Sequence, residues 1–282
     1  MAISNKELSK ARSQLVVKDN TLITKARYNL TVQQQKILLY MISLIKPNHI
    51  PGQRYEISIS DFCEITGIAK NNGMYLQLVK KDIKSLADES AWIELDDGTE
   101  TLFRWIESSN DKLVIGKGKV QYEFTKRAEE YLFDLKSRYT SYELIQVLAF
   151  RCKYAIRLYE YLKVFSYKAY PYNEEDPGIR GFKDHFTVSI DVDDFKKIMG
   201  CDNYKRFVDL KKNVIEKALE EINNLTTDMR IECSYRKVGK KVKTIVFEYL
   251  PVTIPEEAAY IRKRVLNRTI KRGNEKYLFS ED

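Results

Sequence analysis

Histidine and cysteine are the side chains best suited to hold a metal or act as a nucleophile, and this chain has few of either. Its two histidines, His49 and His185, stand far apart, so no adjacent pair exists to support a nicking nuclease. Cys63, Cys152, Cys201 and Cys233 are also scattered, without a C-x-x-C pair. That spacing fits four reduced, mostly buried thiols better than a metal cluster or a disulfide framework. Gly116-Lys117-Gly118-Lys119 lacks the Gly-Lys-Ser/Thr ending that a phosphate loop places at a helix start. There is no nucleophile elbow, and the spacing of the acids singles out no pair for magnesium. The residues predict no enzyme activity, no cofactor and no metal.

Binding chemistry is better represented. Over residues 204–223, Phe207, Leu210, Val214, Ala218 and Ile222 recur on one face of a 3.6-residue period and must be core. The opposite arc carries Lys205, Arg206, Asp209, Lys212, Asn213, Glu216 and Lys217. Arg can grip guanine and Asn adenine with two hydrogen bonds each, so Arg206 and Asn213 are the sharpest candidates for reading bases. The competing reading is a solvated helix face. Further on, Arg236, Lys237, Lys240, Lys241 and Lys243 put five cations in eight residues with no acid among them. Their mutual repulsion is relieved by a phosphate partner. A basic hairpin beside a polar helix points to DNA more specifically than either does alone.

A weaker copy of this arrangement stands in the first half. Lys80, Lys81 and Lys84 share a helix with Asp82 and Asp88, and the hairpin expected from Glu94 to Glu107 is acidic. These lysines can touch phosphates, yet the surface suits a protein partner better. Ile23, Leu30, Ile37 and Leu44 fall seven apart, the spacing of a zipper seam but also of ordinary core packing.

The elements that must position these residues follow from caps, breakers and periodicity. After a polar lead, a helix is expected over 31–45, with Thr31 as N-cap, Gln34 in a capping box and Pro47 as stop. An alternating strand over 55–59 leads to a short helix over 62–66, capped by Ser60 or Asp61 and closed by Gly67. A longer helix over 74–88 and strands over 91–95, 101–108, 112–115 and 118–124 follow. The second half repeats the plan: helix over 141–167, a Pro- and Gly-rich loop over 169–182, strand over 186–190, helix over 192–199 closed by Gly200. A long helix over 204–223 and strands over 229–236 and 242–249 complete it. In both copies a Phe stands five residues before a Gly, Phe62 and Gly67 in one, Phe195 and Gly200 in the other, and a Tyr opens the long helix (Tyr75, Tyr204). Helix, strand, helix, turn, helix and hairpin is the winged-helix order. The expected fold class is therefore α+β, with two tandem winged-helix domains related by internal duplication. Residues 1–14 are read as a flexible lead, 15–136 as the first domain, 137–250 as the second, and 251–282 as a basic tail, helical over 256–269.

Composition agrees. The 282 residues suffice for two domains, and 19 Tyr with 12 Phe argue against disorder. Net charge is +8, from 48 Lys+Arg against 40 Asp+Glu, and the surplus is spread along the chain, as suits a protein lying on a polyanion. No apolar run approaches the ~18–20 residues that span a bilayer, and the polar start is no signal peptide, so a cytoplasmic protein is expected.

The stretches NLTVQQQKILLYMISLI, SRYTSYELIQVLAFRCKYAIRLYEYLK and NYKRFVDLKKNVIEKALEEIN, the last followed by a hairpin with GKKVKTIVFEY, resemble the iteron-binding plasmid replication initiators of the theta type. The resemblance covers roughly residues 15–250. It implies tandem winged helices, the second binding part of a directly repeated origin sequence. The first would add lesser contacts in a monomer and form the dimer interface in a repressing form. By position it puts Tyr204, Lys205, Arg206, Lys211 and Lys212 at the groove and residues 236–243 on the wing. Leu30, Ile37 and Leu44 match a zipper-like motif of that family, where core packing is again the competing reading. It also implies two protein partners, a host initiator ATPase and the replicative helicase. A transcriptional regulator with two winged helices, or an adaptor whose winged helices bind proteins only, are the alternatives from the residues alone.

Overall fold

The computed structural model describes residues 5–68, 74–95, 97–170, 182 and 185–252. In chain order the elements are α1 (Asn5–Arg12), β1 (Leu15–Asp19), α2 (Asn20–Lys25), β2 (Ala26–Arg27), α3 (Val32–Ser43), β3 (Arg54–Ser58), α4 (Ile59–Thr66) and α5 (Met74–Asp88). There follow β4 (Ser90–Glu94), β5 (Glu100–Arg104), β6 (Val114–Gly116), β7 (Lys119–Glu123), α6 (Lys126–Glu129), β8 (Tyr139–Glu143), α7 (Ile145–Leu148) and α8 (Lys153–Ala169). The second half continues with β9 (Thr187–Asp191), α9 (Val192–Met199), α10, β10 (Arg230–Val238) and β11 (Lys241–Leu250). Helix α10 is continuous through an α-helical turn Phe207–Leu210, a π-helical stretch Lys211–Glu216 and an α-helical Lys217–Leu225.

Local signals decide much of this. The Thr31 hydroxyl accepts from Gln34 N at 3.2 Å and the Gln34 side chain accepts from Thr31 N at 2.8 Å, the reciprocal box that starts α3. Helix α4 begins earlier than expected: Ser58 is its cap, accepting from Asp61 N at 3.2 Å, because β3 ends one residue sooner. Gly67 and Gly200 close α4 and α9 with φ of +73° and +62°, the left-handed conformation that glycine adopts without Cβ strain.

The two halves are winged helices of matching order. The sheet β10-β11-β9 has its counterpart in β6-β7-β3, each antiparallel with the second hairpin strand in the middle. The wing of the first half is therefore β6–β7 and not the acidic hairpin from Glu94 to Glu107. Strands β4 and β5 instead pair with β2 in a separate sheet. Two hairpins follow α5 in succession, and only long-range pairing with β3 distinguishes the wing. The turn expected at Asn110-Asp111 is a 3-10 turn over Asn110–Lys112.

Three expectations about organisation are corrected. The supposedly flexible lead holds α1, and Arg12 at its end is buried, donating to the carbonyls of Ile65 at 2.9 Å and Glu64 at 3.1 Å. These belong to the last turn of α4, the negative end of the helix dipole, which favours a cation. The helix expected over 141–167 is three elements, since β1 recruits β8 into a two-stranded sheet with Val16 opposite Tyr142. That pairing crosses the expected boundary at 136/137. Leu30 and Ile37 lie in the core at 2% and 0% exposure, and Leu44 is the C-cap of α3 packed on that core, so the seven-residue spacing is core packing and presents no seam. The loop over 171–181 and the tail from 253 lie outside the described residues.

One apolar core runs from Val16 to Tyr249, and α8 threads it between the two halves. Within it Lys18 Nζ meets the Glu160 carboxylate at 2.9 and 3.0 Å, and Tyr142 donates to the same carboxylate at 2.6 Å. Arg157, also on α8, hydrogen-bonds the Tyr28 hydroxyl, lies 4.0 Å from that ring's centroid, and donates to the carbonyls of Ala26 at 2.8 Å and Ile198 at 3.0 Å. One guanidinium thus joins the first half to α9 of the second. A Cβ on Gly200 would stand 3.0 Å from the Tyr28 carbonyl oxygen, so the same junction needs a glycine for clearance.

Candidate nucleic-acid interface

Helix α10 begins at Phe207, three residues later than its periodicity predicts, with Arg206 as the N-cap residue and Tyr204 and Lys205 before it. Tyr204 stays close by packing edge-on against Tyr154, ring centroids 6.4 Å apart. Val214 and Ile215, both within the π-helical stretch, are fully buried. Lys205, Arg206, Lys212, Glu216 and Lys217 are exposed and Asn213 is half-buried on the outer arc. Arg206 lies 3.6 Å from Asp209 with its side chain 76% exposed, so the guanidinium is held loosely and remains available. Lys211 differs. Its ammonium sits 5.5 Å from the Tyr235 ring centroid and 3.4 Å from Glu216, pointed at the wing strand.

The wing is fixed against this helix. Phe207 meets Tyr235 edge-to-face at 5.1 Å, an arrangement that favours aromatic pairs. Burial pushes the Tyr235 phenol up, keeping it neutral. Strands β10 and β11 turn through Gly239-Lys240, with Val238 opposite Lys241 and a bulge at Arg236/Lys237. Gly239 takes φ of +61°. Arg236, Lys237, Lys240, Lys241 and Lys243 are all exposed. Lys243 has an acid nearby, Asp193 of α9 at 3.9 Å; the other four have none within 4.0 Å among the described residues. Loose cations beside a polar helix N-terminus can take phosphates on the flanks of a groove that the helix enters.

In the first half Lys81 and Lys84 are exposed on α5 and Lys80 is half-buried. The first wing adds residues that sequence reading missed: Lys117 in its two-residue turn, with φ of +49°, and Lys119, ion-paired to Glu56 at 2.5 Å. The same four residues that fail as a phosphate loop form this tip.

Lys153 and Tyr154, at the start of α8, link the two halves of the surface. They line one cleft with Arg151, Asn213 and Lys217, and a second with Arg27, Asn29, Lys197 and Asn203. Lys153 donates to Asn29 at 2.8 Å. The Glu221 carboxylate of α10 accepts from the backbone N–H groups of Arg151 and Cys152 at 2.9 Å, capping the entry to α8. None of this is legible locally, because the partners are about 70 or more residues apart.

Burial pushes the Cys201 thiol up to about 12 and raises Cys152 and Cys233 in the same direction, so these three carry no thiolate near neutral pH. No three His, Cys, Asp or Glu residues come together as a metal site among the described residues. No helix of the described residues is long and apolar enough to cross a membrane.

Comparison with known proteins agrees with this geometry. Residues 15–163 match the family model described as initiator replication protein, WH1, and residues 191–249 match initiator Rep protein, WH2. A replication initiation protein of Escherichia coli is 25% identical over 245 residues, covering 84% of this chain and 70% of that protein. The crystal structure of Pi initiator protein in complex with iteron DNA is similar with a TM-score of 0.62 at 20% identity, covering 84% of this chain and 97% of that one. With its WH1 match alone extending over more than half of the sequence, the chain belongs to the initiator replication protein family, carrying the WH1 and WH2 modules in tandem.

Proposed function

We propose that the protein is a cytoplasmic plasmid replication initiator that binds directly repeated origin sequences through α10 and the β10–β11 wing. The observation that carries this reading is the docking of a wing with exposed cations onto the polar N-terminal half of α10 through Phe207 and Tyr235. The Pi protein, whose fold this chain shares, was crystallised on iteron DNA. The protein acts by binding and not by catalysis: copies seated side by side on the repeats bend the duplex, and an A·T-rich neighbour yields first. ATP hydrolysis and unwinding fall to a host initiator ATPase and the replicative helicase.

A homodimer forms through the first half. Strand β5 is the edge of its sheet, and Leu102 stands beside its register partner Trp92, the two 50% and 47% exposed. Antiparallel pairing of two copies about Leu102 sets Glu100 of each against Arg104 of the other, so the edge is complementary to itself.

Footprinting on the DNA flanking the gene tests the reading. Protection at several direct repeats beside an A·T-rich segment is expected. A single promoter palindrome would make the protein a regulator, and no protection would make it an adaptor.

A further inference from the structure

Val208, the second residue of α10, is 62% exposed. It is the one large hydrophobic of that helix left in solvent; the other apolar residues of the first turn have assignments, Phe207 on the wing and Leu210 in the core. Arg206 precedes it and Lys212 lies one turn on, both exposed. A β-branched side chain adds little to helix stability there, and folding gains nothing from leaving it in water. Its neighbours suit guanine edges and phosphates. The apolar feature of a major groove is the thymine C5-methyl group.

We propose that Val208 is a specificity-determining residue that contacts the methyl group of one thymine in the binding site. The proposal rests on the reading of α10 as the groove-entering helix. It adds a contact that charge alone does not supply: the cations fix the helix on the duplex, and Val208 distinguishes thymine from cytosine at one step.

The test uses the full chain and a duplex that it selects from a randomised library. Each thymine is replaced in turn by deoxyuridine, which lacks only the methyl group. The parent protein should bind roughly fourfold more weakly at one thymine, the effect of losing one buried methyl. Val208→Ala should lose about the same factor on the unmodified duplex and become indifferent to deoxyuridine at that position. Val208→Ile should keep the sensitivity. Both variants should melt with the parent, since the site is exposed. An equal deoxyuridine effect in the parent and in Val208→Ala, or no sensitive thymine, overturns the proposal while leaving DNA reading by α10 intact. Failure to enrich any sequence from the library overturns that reading, and the proposal with it.

Discussion

Replacing Lys240 and Lys241 together by Ala tests the wing most directly. Lys240 occupies the two-residue turn and Lys241 opens β11, both exposed and without an acid within 4.0 Å among the described residues. Each phosphate neutralised by a cation contributes about 0.9 to the slope of log affinity against log salt. Removing both cations should therefore flatten the slope by about one to two units. Between 50 and 200 mM salt, a change near 1.8 narrows the gap between parent and variant by roughly tenfold. The loss should be equal on specific and random duplexes, because phosphate contacts carry little sequence information. Folding should be untouched, as exposed side chains at a hairpin tip contribute little to stability. Lys243→Ala is the control: Asp193 at 3.9 Å already screens it, so its slope change should be smaller. The assay is fluorescence anisotropy across a salt series. Parallel lines for parent and double variant would remove the wing from the interface.

Arg206→Ala should weaken specific binding by about 1–3 kcal/mol and spare random DNA; an equal loss on both in competition titrations would make Arg206 a phosphate contact. Leu102→Glu should shift sedimentation toward monomer by putting like charges together at the β5 edge, and an unchanged dimer would place the interface elsewhere. Glu160→Gln should cost about 3–5 kcal/mol in urea denaturation, because it leaves Lys18 buried without a counter-charge; a loss under 1 kcal/mol would show that the pair is not isolated from water. Gly200→Ala and Gly239→Ala both force a side chain into left-handed backbone at about 1–2 kcal/mol. Only the first also meets the Tyr28 oxygen, so it should unfold at the lower temperature.

The features readable from the sequence are those fixed by neighbours in the chain. Thr31 with Gln34, Gly67, Gly200 and the basic run from Arg236 to Lys243 each carry their meaning within a few residues. The features that sequence reading misses depend on distant partners. Arg12 has the setting of a polar tail, but the α4 carbonyls bury it. Ser141 to Glu143 reads as the start of a helix because an apolar run follows, and β1 makes it part of a strand. Leu30 and Ile37 are spaced for a seam, yet only three-dimensional packing says which side they face. The π-helical stretch at Lys211–Glu216 leaves no mark in the sequence, since Phe207, Leu210, Val214, Ala218 and Ile222 keep ordinary three- and four-residue steps through it. Lys117 and Lys119 sit in a motif that fails as a phosphate loop, and the β3 pairing that makes them a wing tip lies about 60 residues upstream.

The buried Lys18–Glu160 pair also orders events during synthesis. Glu160 follows Lys18 by 142 positions, so at ~5–20 residues per second it leaves the ribosome roughly seven to thirty seconds later. For most of that interval β1 has no β8 beside it, and through all of it Lys18 lacks the Glu160 carboxylate that accompanies it into the core. The contacts of β1 with β8 and α8 therefore form only after the rest of the first winged helix has been made. A chain ending near residue 136 lacks both β8 and α8, the partners of β1 and of Lys18. The long helix between the heads thus works as a late-arriving keystone.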